Sequence, residues 1–283
     1  MYPPRIQRAA PPLRFAYGAS LPIALVIWLL PLIAVMLTSV RSLEDISQGN
    51  YWGWPTEWHL IENYTQVFAA TPMARYLINS VIVTVPTVAG TLLISTMAGF
   101  ALAIYRFRSN LFLFAMFIAG NFIPFQILMI PVRDLMVQLG MYDTYFSLIL
   151  FHVAFQAGFC TLFMRNFIKA LPFELIEAAR VAGINEFAIF WQIVLPLVRP
   201  ALAALAVLVF TFIWNDYFWA LVLVQSDAVR PITVGLNALK GQWVASWQLI
   251  SAGSIVAALP PVMMFFAMQR HFIAGLTLGA SKG

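Results

Sequence analysis

Long apolar runs cut by short polar breaks set the plan of this chain. Six runs stand out, at about 21–40, 80–104, 111–130, 147–164, 201–224 and 249–268. Each approaches the roughly 20 residues a helix needs to cross a hydrocarbon layer about 30 Å thick. The pattern therefore predicts an all-α polytopic membrane protein with six transmembrane helices. Pro124 lies inside the third run with Pro131 just after it, and Pro260 and Pro261 lie inside the sixth. Membrane helices tolerate such prolines where neighbours satisfy the freed carbonyls, so these positions predict kinks.

One polar break does not fit the rest. The connection from Tyr105 to Asn110 is short, but the one at 165–200 is long enough to carry structure of its own. Pro172, with Glu174 in the first turn, opens a helix. Leu175, Ala178, Ala179 and Ala182 then recur at i, i+3, i+4 and i+7, giving a face of mostly small side chains. Gly183 stops that helix, because glycine enters the left-handed region without strain. Asn185 can cap a second helix, with Glu186 at its positive end. Phe187, Phe190, Trp191 and Val194 repeat the helical spacing, and Pro196 and Pro200 close the unit. The segment reads as two short helices hinged at Gly183, with Glu177, Arg180 and Glu186 available for ion pairs. Periodicity alone leaves two roles open, an interfacial amphipathic hairpin covering the bundle or a docking element.

Composition excludes a water-soluble domain. Hydrophobic residues make up 62% of the chain and charged ones 10%, against about 25% charged in ordinary globular domains. The organisation predicted is an N-terminal segment at 1–20, a transmembrane domain at 21–270 and a tail at 271–283. With the N-terminus in the cytoplasm, inner segments carry Arg5, Arg8, Arg14, Arg106, Arg108, Arg165, Lys169, Arg180, Arg199, Arg270 and Lys282, eleven of the sixteen Lys and Arg. That excess fits the positive-inside bias and places both termini in the cytoplasm. It also explains the net charge of +5 without nucleic acid. The N-terminal arginines before an apolar run resemble a secretory signal, but the run exceeds the usual 7–15 residues or so and no A-x-A site follows, so the first span is expected to be retained.

The single cysteine, Cys160, reads as an inert buried thiol, and His59, His152 and His271 lack metal-ligand spacing. Tyr51, Trp52, Trp54, Trp58 and Tyr64 crowd the first outer loop, and Trp243 and Trp247 lie in the last one. Such aromatics suit the headgroup layer or an external protein. Asp216 is the only acid inside a predicted span, flanked by Trp214, Asn215 and Tyr217. A charge there costs about 2.5–3.5 kcal/mol on insertion scales, so it should face the bundle interior, a partner or a water-filled path. These four residues, with Asn121 and Gln126, are the translocation-pathway candidates. Trp219 is expected to meet lipid, and Asn79 and Ser80 to cap or brace the second span.

The 165–200 segment also carries a resemblance. Glu177-Ala178-Ala179, three residues, Gly183, nine residues, Ile193, one residue, then Leu195-Pro196 matches the EAA motif of ABC importer permeases. Asn79-Ser80, Pro124, Pro131, Leu171-Pro172, Trp214-Asn215-Asp216 and the closing GLTLGASKG resemble the carbohydrate-uptake branch, similar in layout to the smaller six-span permease of the maltose transporter. The resemblance implies a type I ABC importer of a bacterial inner membrane. This chain would be one of two permease subunits, served by a periplasmic solute-binding protein and driven by two cytoplasmic ATPase subunits. The EAA loop would be the coupling-helix hairpin. Glu177 would meet a basic group on the ATPase, Ala178 and Ala179 would allow close contact, Gly183 would make the turn, and residues 275–283 would reach the ATPase pair. The family commonly has Asp before the motif glycine, where this chain has Ala182.

The chain has no G-x-x-x-x-G-K-[ST] loop, nucleophile–base pair or carboxylate dyad. It is therefore expected to be no enzyme and to bind no cofactor, with ATP and Mg used by the partner ATPase subunits. The solute implied is a sugar, oligosaccharide, polyol or sugar derivative. An ion-coupled secondary transporter is the alternative; it calls for several intramembrane ionisable groups and repeated halves. A membrane-embedded enzyme or scaffold would need chemistry that the sequence does not display.

Overall fold

The computed structural model describes residues 11–240 and 246–280, except for the side chains of 270–280. The expectations for Arg5, Arg8, Trp243, Arg270, His271 and Lys282 lie outside the described residues or side chains. The described chain is helical with short connections, and it divides into two compact bodies, 1–71 with 239–256, and 72–238 with 257–283.

In the first body, α1 (Pro11–Ser39) is exposed along almost its whole length. A helix that is apolar all round needs lipid or a partner around it. The helix is already formed at Pro11, earlier than position 21. Hydropathy marks the part suited to lipid, whereas LRFAYGAS at 13–20 contains nothing that stops backbone hydrogen bonding. After α1 the chain folds around Arg41, which is fully buried and lies 3.8 Å from Asp45. Asp45 sits in α2 (Leu43–Ser47) and accepts from Thr56 N at 2.9 Å and Thr56 Oγ1 at 2.7 Å. These bonds hold the Asp45 carboxyl below its ordinary range. Asn63, from α3 (Leu60–Ala70), donates to Ser39 O and Arg41 O and fixes the loop to the end of α1. Tyr51, Trp52, Trp54 and Trp58 remain exposed.

The second body is built on α4 (Met73–Ile104) and α7 (Tyr145–Lys169). Asn79 pairs with Tyr145 near their N-terminal ends and Gly99 approaches Met164 and Arg165 near their C-terminal ends, so the two helices run parallel. Ser80, Thr84, Thr87, Thr91, Ser95 and Gly99 form a buried small-residue stripe on α4. Such stripes let membrane helices approach closely. A Cβ on Gly99 would stand 2.9 Å from Arg165 N. Asn79 and Ser80 do not open the helix. They lie inside it, and they clamp the 228–232 segment through Ala228 O, Arg230 O and Ile232 N.

Two predicted spans are broken. The third is α5 (Asn110–Gly120) followed by the segment Phe125–Gln138, bent by 89°; this segment ends in α6 (Met129–Gln138). Pro124 has no N–H and its ring would clash with the Gly120 carbonyl of a continuing helix. Pro131 lies in the first turn of α6, where no such bond is lost. The fifth span ends early, as α10 (Arg199–Trp214), about 24 Å long. The chain turns at Asn215–Tyr217 and resumes as α11 (Phe218–Leu223). Four unbroken helices are long and apolar enough to cross a membrane, or up to six spans if two bent pairs, Asn110–Gly120 with Phe125–Gln138 and Glu186–Leu197 with Arg199–Trp214, each count as one.

After α11 comes α12 (Ile232–Gly235), held by Ser80 and by Thr233 Oγ1, which donates to Asp216 O. The last helix, α13 (Trp247–Ala280), continues well past the predicted end at 268, through most of what the sequence suggested was a tail. Its Pro261 leaves Ala257 O without the usual i+4 donor. Trp214 Nε1 donates to that carbonyl at 2.9 Å.

Candidate functional site

The segment after α7 folds as the hairpin its pattern predicts. The first arm is α8 (Phe173–Val181), with Pro172 at its start. Gly183 has φ of +75°. Gly183 N donates to Arg180 O and Ile184 N to Ala179 O, both at 3.0 Å, the double bond of a glycine-terminated helix end. Asn185 then caps the second arm, its Oδ1 accepting from Ala188 N at 2.8 Å. That arm, α9 (Glu186–Leu197), is π-helical over Ile189–Val194 and meets α10 at 75°.

The hairpin has an anchored face and a free one. Ile176, Ala179, Ile189, Phe190 and Val194 are buried, and Phe190 packs 5.4 Å from Phe100 of α4. The wider π-turn brings Ile189 inward and leaves Phe187 and Trp191 exposed, so the predicted four-residue aromatic face is split. In α8 the predicted small face is also split, because Ala179 is buried while Leu175, Ala178 and Ala182 are exposed. Glu177, Ala178, Ala182 and Gly183 therefore form an outward ridge with Val181, which is 90% exposed. Ile193 and Leu195 instead pack against the core, with Pro196 half-buried beside them, so this part of the motif seats the hairpin.

Three residues brace the turn. Arg180 Nε donates to Glu186 Oε1 at 2.6 Å and Arg180 Nη2 to Oε2 at 3.1 Å. Tyr105 Oη, just past α4, donates to Glu186 Oε2 at 2.6 Å. The Arg180 bonds hold the Glu186 carboxyl below its ordinary range, with Tyr105 assisting. Burial and the adjacent carboxylate push the Tyr105 phenol up to about 12.

The pathway candidates do not form one cluster. Trp214 is buried against Phe210 and bonded to α13. Asn215 bonds back to Thr211 O, and exposed Tyr217 accepts from Asn237. Gln126 sits exposed in the turn after Pro124. Asp216 caps α11, accepting from Trp219 N at 3.3 Å and Ala220 N at 2.9 Å. His152 Nε2 lies 3.4 Å from Asp216 Oδ2. These partners offset much of the cost of keeping a carboxyl largely buried. Trp219 is not at lipid but buried against Phe151, ring centroids 3.8 Å apart.

His152 and Asp216 line a cavity of about 110 Å³ together with Phe125, Phe155, Gln156, Phe212 and Trp219. A second cavity, of about 280 Å³, shares Phe155, Gln156 and Phe212 and adds Asn121 and Phe159. Aromatic faces beside hydrogen-bonding side chains are the surface that a polyhydroxyl solute needs.

The hairpin and most of the bundle fall within 91–277, the residues matched by the family described as "Binding-protein-dependent transport system inner membrane component". The chain belongs to this family. Among its relatives are the arabinooligosaccharides transport system permease protein AraQ of Halalkalibacterium halodurans, 36% identical over 89% of this chain and 91% of that one. The osmoprotective compounds uptake permease protein GgtD of Synechocystis sp. is 34% identical over 90% and 88%. The crystal structure of a bacterial ABC transporter that imports the acidic polysaccharide alginate contains a chain with the same fold, with a TM-score of 0.81, 23% identity, and coverage of 96% of this chain and 99% of that one.

In this permease, sequence reasoning missed His152, Tyr105 and Asp143. Asp143, at φ 59°, accepts from Gln225 N, Ser226 N and Ser226 Oγ and so holds the segment after α11. Each acts on a residue far along the chain, so no local spacing marks it. The one available signal was a polar residue inside an apolar run, at His152.

Proposed function

We propose that this permease chain is one of two transmembrane subunits of an ATP-driven, binding-protein-dependent importer for a sugar, oligosaccharide, polyol or sugar derivative. The chain sits in a bacterial inner membrane with the hairpin and both termini on the cytoplasmic side. A periplasmic binding protein delivers the solute, and two ATPase subunits hydrolyse ATP with Mg. The hairpin transmits their movement.

The observation that carries this reading is the two-faced hairpin. Its inward face is packed and braced to the end of α4, while Glu177, Ala178, Ala182 and Gly183 stand outward with no hydrogen bond or ion pair from their side chains among the described residues. Small side chains there permit close backbone approach, and Glu177 offers one charge for a cation on the ATPase. Ala182 removes the acid common in the family at that position, and Asn185 provides the cap to the second arm. The saccharide class is supported by the names of relatives such as AraQ and the lactose transport system permease protein LacG of Rhizobium radiobacter. The cavities beside His152 and Asp216 suit such a solute.

The test is uptake by vesicles containing the reconstituted complex, offered arabino-oligosaccharide, lactose and α-glucoside probes with the binding protein. ATP-dependent accumulation of a saccharide is expected. Accumulation driven by an ion gradient without ATP would contradict the proposal.

A further inference from the structure

A further cavity of the second body lies at the hairpin end; it shares Tyr105 and Phe173 with the hairpin and its brace, and no residue with the cavities beside His152 and Asp216. It measures about 930 Å³ and opens between the C-terminal ends of α4 and α7 and the start of α5. Arg106, Arg108, Arg165 and Lys169 all line it, and no Asp or Glu does. None of the four has an ion-pair partner among the described residues. Arg165 Nε donates to Leu102 O at 3.3 Å, and its guanidinium stacks 3.8 Å over the Phe114 ring, which fixes it at the cavity wall. Asn110 Nδ2 also donates to Leu102 O and to Tyr105 O, so a terminal carbonyl of α4 and the carbonyl just past its end are satisfied from within the protein. The four cations are therefore not needed as an acid-paired cap. They form a concentration of positive charge with no acidic side chain paired to it among the described residues.

The rest of the lining is mostly apolar, with Asn110 and Tyr105 as its polar members. Leu102, Ile104, Leu111, Ile168 and Phe173 form much of the apolar wall, and Leu111 is 74% exposed. Cations beside an apolar wall at the ends of membrane helices match a molecule with an anionic head and a hydrocarbon body.

We infer that this cavity is a binding site for the phosphate headgroup of an anionic membrane phospholipid, with Arg106, Arg108, Arg165 and Lys169 as its phosphate ligands. An acidic surface of an ATPase subunit fits less well. The outward ridge of the hairpin lies outside the cavity lining, while the membrane helices make most of its wall. The inference goes beyond the importer reading and does not depend on which solute is carried.

The test uses the purified full complex with a fluorescent phosphatidylglycerol, and fluorescent phosphatidylcholine as the uncharged comparison. Saturable binding of phosphatidylglycerol alone is expected. Arg106→Gln/Arg108→Gln should weaken it at least tenfold, at about fivefold per cation, and Lys169→Gln, in the exposed last turn of α7, about fivefold. Arg106→Lys/Arg108→Lys should restore most of the binding, and Arg75→Gln at the other end of α4 should change nothing. Four results would overturn the inference. They are equal binding by the Gln variants and the unaltered complex, equal binding of phosphatidylcholine, displacement of the lipid by inorganic phosphate alone, and unchanged lipid binding with loss of the ATPase subunits from the Gln variants.

Discussion

Arg180 and Glu186 are joined by two hydrogen bonds, 2.6 and 3.1 Å, across the turn at Gly183, and Tyr105 closes on the same carboxylate. The two arms of the hairpin are thereby tied to each other and to the end of α4. Force applied to the outward ridge is carried into the bundle through these contacts and the buried face behind them.

Glu186→Gln keeps one acceptor oxygen and is expected to retain more coupling than Glu186→Ala. Both ionic partners are partly exposed, so the pair itself contributes about 1 kcal/mol or less. Glu186 has a folded pKa below its ordinary 4.5. Its contribution is therefore complete above about pH 4.5 and lost as pH falls through the lower folded value. Hydrogen exchange at 183–189, corrected for intrinsic rate, should show a pH-independent brace in the neutral range and opening only in acid.

Trp214 and Pro261 should be coupled. Trp214→Phe keeps the ring but leaves Ala257 O without its donor, at a cost of about 1–3 kcal/mol. Pro261→Ala returns a backbone N–H to that carbonyl. Thermal unfolding of the four members of the double-mutant cycle should show Trp214→Phe costing less when Pro261 is Ala.

Gly99 sets the distance between α4 and α7. Gly99→Ala places a methyl 2.9 Å from Arg165 N, and overpacking of this kind costs about 1–3 kcal/mol. Gly90→Ala meets only a Val153 methyl group at 3.3 Å, so its midpoint in the same unfolding assay should fall by less.

Asp216 does two jobs that substitutions can separate. Asp216→Asn keeps an acceptor for the cap of α11 and is expected to preserve assembly. Asp216→Leu loses the cap, at about 0.5–2 kcal/mol, and leaves His152 facing an apolar group. Transport by an assembled Asp216→Asn complex at the unaltered rate would remove the charge from any pathway role.

What could be read from the sequence follows the range of the interactions. The hairpin was legible because its signals are local: Pro172, Gly183 and Asn185 act on neighbours within one helical turn. The breaks near Pro124 and at Asn215–Tyr217 were only partly legible. Apolar composition continues through both, and what ends each helix is proline geometry in one case and a side-chain cap in the other. The π-helical turn at Ile189–Val194 kept Phe190 and Val194 buried but exchanged Phe187 and Trp191 for Ile189, which a fixed 3.6-residue period does not register. The setting of Asp216 was hidden because it depends on His152, from another helix. Trp219 was misplaced for the same reason, since the ring that buries it, Phe151, belongs to α7.

The central claim is that the outward ridge of the hairpin meets the ATPase subunits. Glu177 is exposed and makes no ion pair among the described residues, so Glu177→Lys leaves the fold of this chain unchanged and alters only what the ridge presents. The direct measurement is ATP hydrolysis by the reconstituted complex, with and without solute-loaded binding protein. The account predicts that Glu177→Lys abolishes the stimulation or releases the ATPase subunits. Stimulated hydrolysis and uptake at the unaltered rate would contradict it.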